Sequence, residues 1–417
     1  MNSETTNSGY DVVIVGAGSA GIATASSLLK RNANLNIALI DPSDDHYYQP
    51  GWTMVGGGIF AAETTHRKTS DLIPAGTTWI KQSVTSFVPE QNSVTLDDGS
   101  SISYQQLVVA PGLKLDWDAV EGLTETLGKN GVTSNYCYDL APYTWDLVGK
   151  TSKGKAIFTQ PPMPIKCAGA PQKALYLSAS EWLNKGRLSD IEIEFYNAGP
   201  VLFGVEAYVP ALNSYMDKYG VGRKYMHNLV KVDGAAQRAW FKTADQDGNE
   251  KIVESSFDML HVCPPQCAPD FIRNSGLSDE VGWLDVDPGT LRHKQYGNIW
   301  GAGDVMNTTN AKTMAAARKQ APVVAQNIVN AMAGSAEQKT YDGYGSCPLT
   351  VERGKIVLAE FTYGAKVNPT FPSWVNEGTR PSKLAWILKA NILPFVYWQG
   401  MLKGREWLTG PNKQIAD

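Results

Sequence analysis

The chain has 417 residues, enough for two or three domains with sizeable cores. Its net charge of -4 and sequence pI of about 5.8 exclude a general nucleic-acid binder, which needs clustered Lys and Arg to neutralise phosphate. Five cysteines in so long a chain do not make a disulfide framework, and the odd number leaves at least one thiol unpaired within it.

The opening M-N-S-E-T-T-N-S-G-Y is polar, with neither an apolar signal core nor an Arg-rich presequence. Nowhere does the chain offer 18 consecutive uncharged apolar residues. The expectation is a protein that is soluble or lies on a membrane without crossing it.

D-V-V-I-V (11–15) is the continuous β-branched run of a buried parallel strand. It leads into G-A-G-S-A-G, a helical stretch to about Arg31, and a second strand, N-I-A-L-I, that ends in Asp41. Gly16 permits the tight turn, Gly18 lets a pyrophosphate approach the backbone, and Gly21 lets the helix pack closely on the strand. Ser19 and Ala20 open the helix whose free N–H groups face phosphate, and Asp41 is placed for ribose hydroxyls. This strand–turn–helix–strand–acid unit predicts a dinucleotide site.

Strands at 101–112 and 298–304 bracket a central segment with strands of its own, K-A-I-F-T, I-E-I-E-F-Y and D-M-L-H-V. N-I-W-G-A-G-D delivers Gly303 and Asp304 to the ribityl chain of FAD, and the helix from about Thr313 to Ala333 would face its pyrimidine edge with Lys312 and Thr313. An early glycine motif paired with a late G-x-G-D resembles the flavoprotein disulfide reductases, in which the first site holds FAD and the inserted domain NAD(P)H. The inserted unit departs from that pattern: after I-E-I-E-F-Y, Pro200 removes a backbone N–H, and Val201 and Phe203 stand where a pyrophosphate cradle wants small residues. Weak or absent NAD(P)H use is expected.

The fold expected is α/β: two Rossmann-like domains of the FAD/NAD(P)-binding type and a C-terminal amphipathic region that associates with membrane. The discontinuous first domain spans 1–120 and 284–338, the inserted one 121–283, and the C-terminal region 339–417.

Cys167 lies in P-I-K-C-A-G-A-P-Q-K, beside Lys166 and near Lys173, where positive charge favours a thiolate. Cys347 lies in Y-D-G-Y-G-S-C-P-L-T. Glycine and proline mark both stretches as loops rather than core strands. Read alone, each cysteine could equally be a small buried hydrophobe. Cys137 reads as structural, and Cys263 and Cys267 form C-P-P-Q-C, too long for a redox C-x-x-C and without the partners of a zinc site. No metal is expected.

After Lys339 the chain turns aromatic. From Leu384 to Trp407 it interleaves Trp386, Ile387, Leu393, Phe395, Tyr397 and Trp398 with Lys383, Lys389, Lys403 and Arg405. With Pro394 as a break, the segment reads as two short amphipathic helices for a headgroup boundary with anionic lipid, or as a core or dimer-interface helix.

P-I-K-C-A-G-A-P-Q-K, H-Y-Y-Q-P-G-W-T-M-V-G-G-G, Y-D-G-Y-G-S-C-P-L and L-P-F-V-Y-W-Q-G-M-L-K-G together resemble sulfide:quinone oxidoreductases. The likeness is to the branch with two redox cysteines that includes the mitochondrial enzyme, and it runs from about Tyr10 to Pro411. It implies a monotopic FAD enzyme in which Cys167 and Cys347 meet at the flavin through a disulfide or a bridging sulfur. Hydrosulfide would attack the bridge, leaving one cysteine as a persulfide and the other, Cys347 by analogy, as a thiolate that passes charge to the flavin. A sulfur acceptor such as glutathione or sulfite would take the sulfane sulfur, and ubiquinone or menaquinone the electrons.

The resemblance also sets Tyr48, Gln49 and Pro50 against the flavin, with Val84 among the cofactor contacts. Phe361, Tyr363, Phe395 and Tyr397 are the candidates for the quinone pocket, His46 is expected to be structural, and Glu206 and Lys173 are candidates for proton traffic. The membrane would be the cytoplasmic face of a bacterial inner membrane, or the matrix side of the mitochondrial inner membrane; a homo-oligomer is left open. The rival readings are a type II NADH:quinone oxidoreductase and the flavin subunit of a flavocytochrome sulfide dehydrogenase. A flavin-bound sensor without turnover is a further rival.

Overall fold

The computed structural model describes residues 9–411. The polar opening residues 1–8, read above for targeting signals, lie outside that range.

The apolar run forms strand β1 (Tyr10–Val15), with Val12, Val13 and Ile14 fully buried. It leads through the glycine turn into α1 (Ser19–Arg31) and back to β2 (Ile37–Ile40). β1 is central: it pairs in parallel with β2, and on its other side with β3 (Ser101–Val109). Strand Thr77–Ile80 extends the sheet beyond β2, and Ile299–Gly301 joins β3 in parallel. The late G-x-G-D motif thus lies in the same sheet as the glycine turn although almost 300 residues separate them. Helix Met314–Met332 begins behind a Thr313 cap, whose side chain accepts from the Ala316 N–H, and shares one buried core with α1 and β1.

A second parallel sheet is built on β4 (Gly154–Gln160), which leads through the Cys167 loop into α2 (Ala170–Asn184) and β5 (Ile191–Asn197). Its order is Val132–Thr133, Met259–His261, β4, β5, Gly222–Tyr225, and an antiparallel meander over Asn228–Ser256 follows from its edge. The third sheet is antiparallel: β6 (Gly345–Glu352), β7 (Lys355–Thr362) and Lys366–Val367.

Two local expectations change. Cys347 lies in β6 and not in a loop. Pro348 had argued against a strand, but β6 is an edge strand paired only with β7, so its missing N–H costs no ladder bond. Nor does Pro394 split the C-terminal segment, which is helical throughout 383–403. Wide five-residue turns over Leu388–Ile392 and Val396–Gly400 flank the proline and absorb its missing donor and ring bulk.

Three tyrosines pin the sheet carrying Cys347 onto the inserted unit. Tyr208 Oη donates to the Glu360 carbonyl and accepts from the Glu360 N–H, both at 3.0 Å. Tyr219 Oη donates to the Val351 carbonyl at 3.0 Å, and Tyr215 Oη to Glu352 at 3.1 Å. Tyr208→Phe takes this partner from the buried Glu360 N–H, while the Glu360 carbonyl keeps the Asn368 N–H, so we expect a loss of about 1–3 kcal/mol in chemical denaturation.

Candidate active site

The glycine turn has the shape that a dinucleotide needs. Gly16 has φ +101°, and a Cβ there would lie 2.5 Å from the Ala110 carbonyl oxygen; at Gly21 it would lie 1.8 Å from the Gly16 oxygen. A Cβ on Gly18 would meet nothing within 4 Å, so the backbone between them is open to a close-approaching group. No side chain caps the N-terminus of α1 and no acid stands in its first turn, so its N–H groups face the opening with their partial positive charge. Asp41 holds the turn from beneath, accepting from the Ala17 N–H at 2.7 Å and the Ser43 N–H at 2.8 Å. Gly303, at φ +80°, brings the second motif so close that a Cβ would touch Ala20. These residues fit a dinucleotide with its pyrophosphate over Gly18.

A cavity opens between the first sheet, the Cys167 loop and the C-terminal segment, walled by Gln49, Trp52, Cys167, Asp304, Lys389 and Tyr397, among others. At its wall, Cys167 Sγ lies 3.7 Å from Cys347 Sγ although 180 residues separate them in sequence. Cys167 is half-buried in a left-handed backbone conformation, φ +51°, held by its N–H to the Lys312 carbonyl and its carbonyl to the Ala170 N–H. Cys347 is 1% exposed on β6. The close seating of strand on loop depends on Gly169, where a Cβ would lie 2.1 Å from Leu349 Cδ2.

The two sulfurs differ in charge environment. Lys173, in the first turn of α2, sends its ammonium back to within 3.0 Å of Cys167 Sγ. The thiol of Cys347, hydrogen-bonded to Cys167, and then the Lys173 cation hold Cys167 well below the usual thiol range, against the opposing effect of burial. Cys347 is pushed well above it by the same hydrogen bond and by burial. Burial works to lower Lys173, but the two sulfurs keep it above its ordinary value. Of the two free thiols, Cys167 is the more acidic. The resemblance instead made Cys347 the thiolate freed when the bridge is attacked; the nearer cation belongs to Cys167.

Lys166, next to Cys167 in sequence, turns away and donates to Gln49 Oε1 at 2.6 Å. Lys312 donates to the carbonyls of Asp304 and Met306, at 2.8 and 2.6 Å, and burial brings its pKa down to about 8. Its ammonium is thus engaged by backbone and not aimed at an open edge. Desolvation pushes the Asp304 carboxyl up, with Lys312 and Lys166 opposing. Val84 is buried in strand Val84–Val88. Glu206 is exposed and not among the residues walling either cavity described here.

The four proposed quinone residues do not share one pocket. Tyr397 lines the cavity that holds Cys167, whereas Phe361 lines a second cavity with Ala168 and Phe203. Tyr363 donates to the Pro288 carbonyl and packs edge-on against Tyr341. Phe395, 57% exposed, faces outward. They belong to different elements, the end of β7 and the C-terminal helical segment, and their aromatic character alone did not separate them.

The sequence reading missed Lys389, which it had counted among the lipid-facing lysines. It is 3% exposed, and burial, with repulsion from Lys173, lowers its pKa to about 7. A signal was present: Lys389, Leu393 and Tyr397 recur every four residues along one helical face, and all three line the cavity. In the inserted unit, the loop after β5 closes on itself. Asn197 accepts from the Gly199 N–H and donates to the Val201 carbonyl, and Phe203 packs edge-on against Tyr208 and Phe361.

The pyridine nucleotide-disulphide oxidoreductase family matches residues 10–143. The chain is 43% identical to a mitochondrial sulfide:quinone oxidoreductase of Dictyostelium discoideum, over 94% of this chain and 86% of that one. It is 37% identical to the protein of that name from Mus musculus, over 96% and 88%. Its fold superposes on the sulfide:quinone oxidoreductase of the hyperthermophilic bacterium Aquifex aeolicus with a TM-score of 0.76 at 20% identity, covering 94% of this chain and 91% of that one. Over nearly its whole length, then, this chain belongs to the sulfide:quinone oxidoreductase family.

Proposed function

We propose that this chain is a flavoenzyme that oxidises hydrogen sulfide to sulfane sulfur at Cys167 and Cys347 and reduces a quinone, with FAD in the first dinucleotide site. The observation that carries the reading is the approach of two sulfurs to 3.7 Å beside a buried ammonium, on the wall of a cavity next to a dinucleotide cradle. An S–S bond is about 2.0 Å, so 3.7 Å is a span that a third sulfur can bridge with two such bonds.

Hydrosulfide attacks the bridge; one S–S bond forms as another breaks, and the leaving sulfur departs on the Cys167 side, where Lys173 neutralises its charge. Cys347 is left carrying the bridging sulfur and, beyond it, the sulfur of the attacking hydrosulfide. An acceptor thiol or sulfite then takes the sulfane sulfur, and the second cavity, walled by Ala168, Phe203 and Phe361, is its proposed approach. The Cys167 thiolate and the persulfide that remains on Cys347 re-form the bridge with loss of two electrons, for which bound FAD would supply the carrier to quinone. Gly16, Gly18, Ser19, Ala20 and Gly21 would cradle its pyrophosphate, Asp41 a ribose, and Gly303 and Asp304 the ribityl end. Lys389, Leu393 and Tyr397 line the end of the cavity formed by the C-terminal segment, where we place the quinone ring. For each sulfide, one sulfur is oxidised by two electrons and one quinone takes up two electrons and two protons. The loop after β5, filled by its own Asn197 and Phe203, supports a reading without NAD(P)H as donor.

The C-terminal segment is the proposed membrane contact. Leu384, Ile387, Ile392, Phe395 and Trp407 are 43–57% exposed, and Lys383, Lys403 and Arg405 stand exposed near them. Apolar side chains ringed by cations suit an anionic bilayer surface. Among the described residues no helix is long and apolar enough to cross a membrane. The relatives at 37% and 43% identity are mitochondrial by name, which favours the mitochondrial inner membrane over the bacterial one.

Cys167→Ser and Cys347→Ser should each lower sulfide-driven reduction of a short-chain quinone by at least about 10³-fold; turnover at the parent rate in either excludes this mechanism. Lys173→Met removes the cation from Cys167, so iodoacetamide alkylation of that thiol at pH 7 should slow about tenfold or more, with its pH profile moved upward. Replacing Leu384, Ile387 and Phe395 together with Gln should abolish co-flotation with anionic vesicles and spare activity towards a soluble quinone.

A further inference from the structure

The C-terminal segment also reaches the glycine turn. Residues 396–409 lie along α1: Ser26 Oγ donates to the Leu402 carbonyl at 2.7 Å, and Ser27 Oγ to Glu406 at 2.9 Å. Arg31 pairs with Glu406 at 2.5 Å, and Gly404 approaches so closely that a Cβ would lie 2.7 Å from the Ser26 oxygen. From this docked stretch Tyr397, fully buried, places its hydroxyl 2.7 Å from Ser19 Oγ and 2.5 Å from His46 Nε2. His46 Nδ1 lies 3.3 Å from the carbonyl of Ala17.

The hydrogens in this chain can be assigned. A carbonyl only accepts, so Nδ1 carries the imidazole hydrogen and donates to Ala17. Burial keeps His46 neutral, with its pKa lowered to about 4, so Nε2 must accept, and its donor is the Tyr397 hydroxyl. The Tyr397 oxygen then accepts from Ser19 Oγ–H. The relay runs Ser19 to Tyr397 to His46 to Ala17, and it begins and ends within the turn on either side of Gly18. Its two inner members come from outside that turn, and one of them comes from the C-terminal segment.

We propose that the C-terminal segment is a clamp on the cofactor loop: through Tyr397 and His46, docking of residues 396–409 onto α1 and retention of FAD over Gly18 are reciprocally coupled. The inference rests on the reading of that turn as the FAD pyrophosphate site. Tyr397 and His46 are positioning residues that set the backbone of Ala17 and Ser19 around the phosphate-facing amides. Any preference of the cofactor for the docked segment is returned as an equal preference of the docked segment for the cofactor.

The test uses full-length holoenzyme and two readouts that need no turnover. Spontaneous FAD release on dilution is followed by flavin fluorescence, and trypsin cleavage within 383–405 is followed with and without excess FAD. Tyr397→Phe leaves His46 Nε2 and Ser19 Oγ without their buried partner and should speed release about tenfold. Glu406→Gln loosens the segment on the outer face of α1, away from the cofactor loop, and should speed release in the same direction; it serves if Tyr397→Phe does not fold. Excess FAD should protect the segment from trypsin in the parent and less so in the variants. Release within twofold of the parent in the folded variants, or cleavage indifferent to FAD, overturns the coupling. Parent protein purified without flavin absorbance would instead overturn the assignment of the site.

Discussion

The proposed sulfur chemistry depends on one contact, the Lys173 ammonium 3.0 Å from the sulfur of Cys167 in a site largely withdrawn from water. In bulk solvent such a pair would be worth little; behind protein walls the same charge reinforces the hydrogen bond that makes Cys167 the more acidic of the two thiols. It adds to the hydrogen bond between the two sulfurs, which already sets Cys167 below Cys347, and gives a bridge between them a stabilised leaving group on the Cys167 side. The pair therefore strengthens the direction of the sulfur site.

Much of the remaining architecture brings Cys347 to that pair. The cysteine sits on an edge strand of a small sheet that has no reason to lie against the Cys167 loop except through side chains. Tyr208, Tyr215 and Tyr219 hold the sheet by its backbone and by Glu352, and Gly169 leaves room for Leu349 beneath the loop. The cation, in turn, is positioned by helix geometry. α2 begins at Ala170, so Lys173 stands in its first turn, where a side chain leans back toward the helix N-terminus. That lean carries the ammonium to the sulfur of the preceding loop.

The sequence was most legible where local pattern and tertiary role agree. D-V-V-I-V, the glycine turn and the acid at position 41 read as one unit because a buried parallel strand and a phosphate loop tolerate few other residues. It was least legible where three-dimensional proximity departs from chain proximity. Lys166 adjoins Cys167 in sequence yet reaches Gln49, while Lys173, six residues on, is the cation at the sulfur. Pro348 marks a loop only if the strand is central, and no local signal says that β6 is an edge. Lys389 looked like one more lipid-facing lysine, although its spacing with Leu393 and Tyr397 placed it on the inner face. Pro394 looked like a helix break because widened turns leave no mark that composition can reveal.

Anaerobic titration with sulfide in the absence of quinone tests the central claim most directly, because it isolates the sulfur half of the reaction. The account predicts that sulfide bleaches the flavin absorbance of the parent. In Cys347→Ser it should not, although dithionite still reduces the flavin of that variant. Bleaching of Cys347→Ser by sulfide at the parent's rate would show that electrons leave sulfide without the cysteine pair, and would contradict the account.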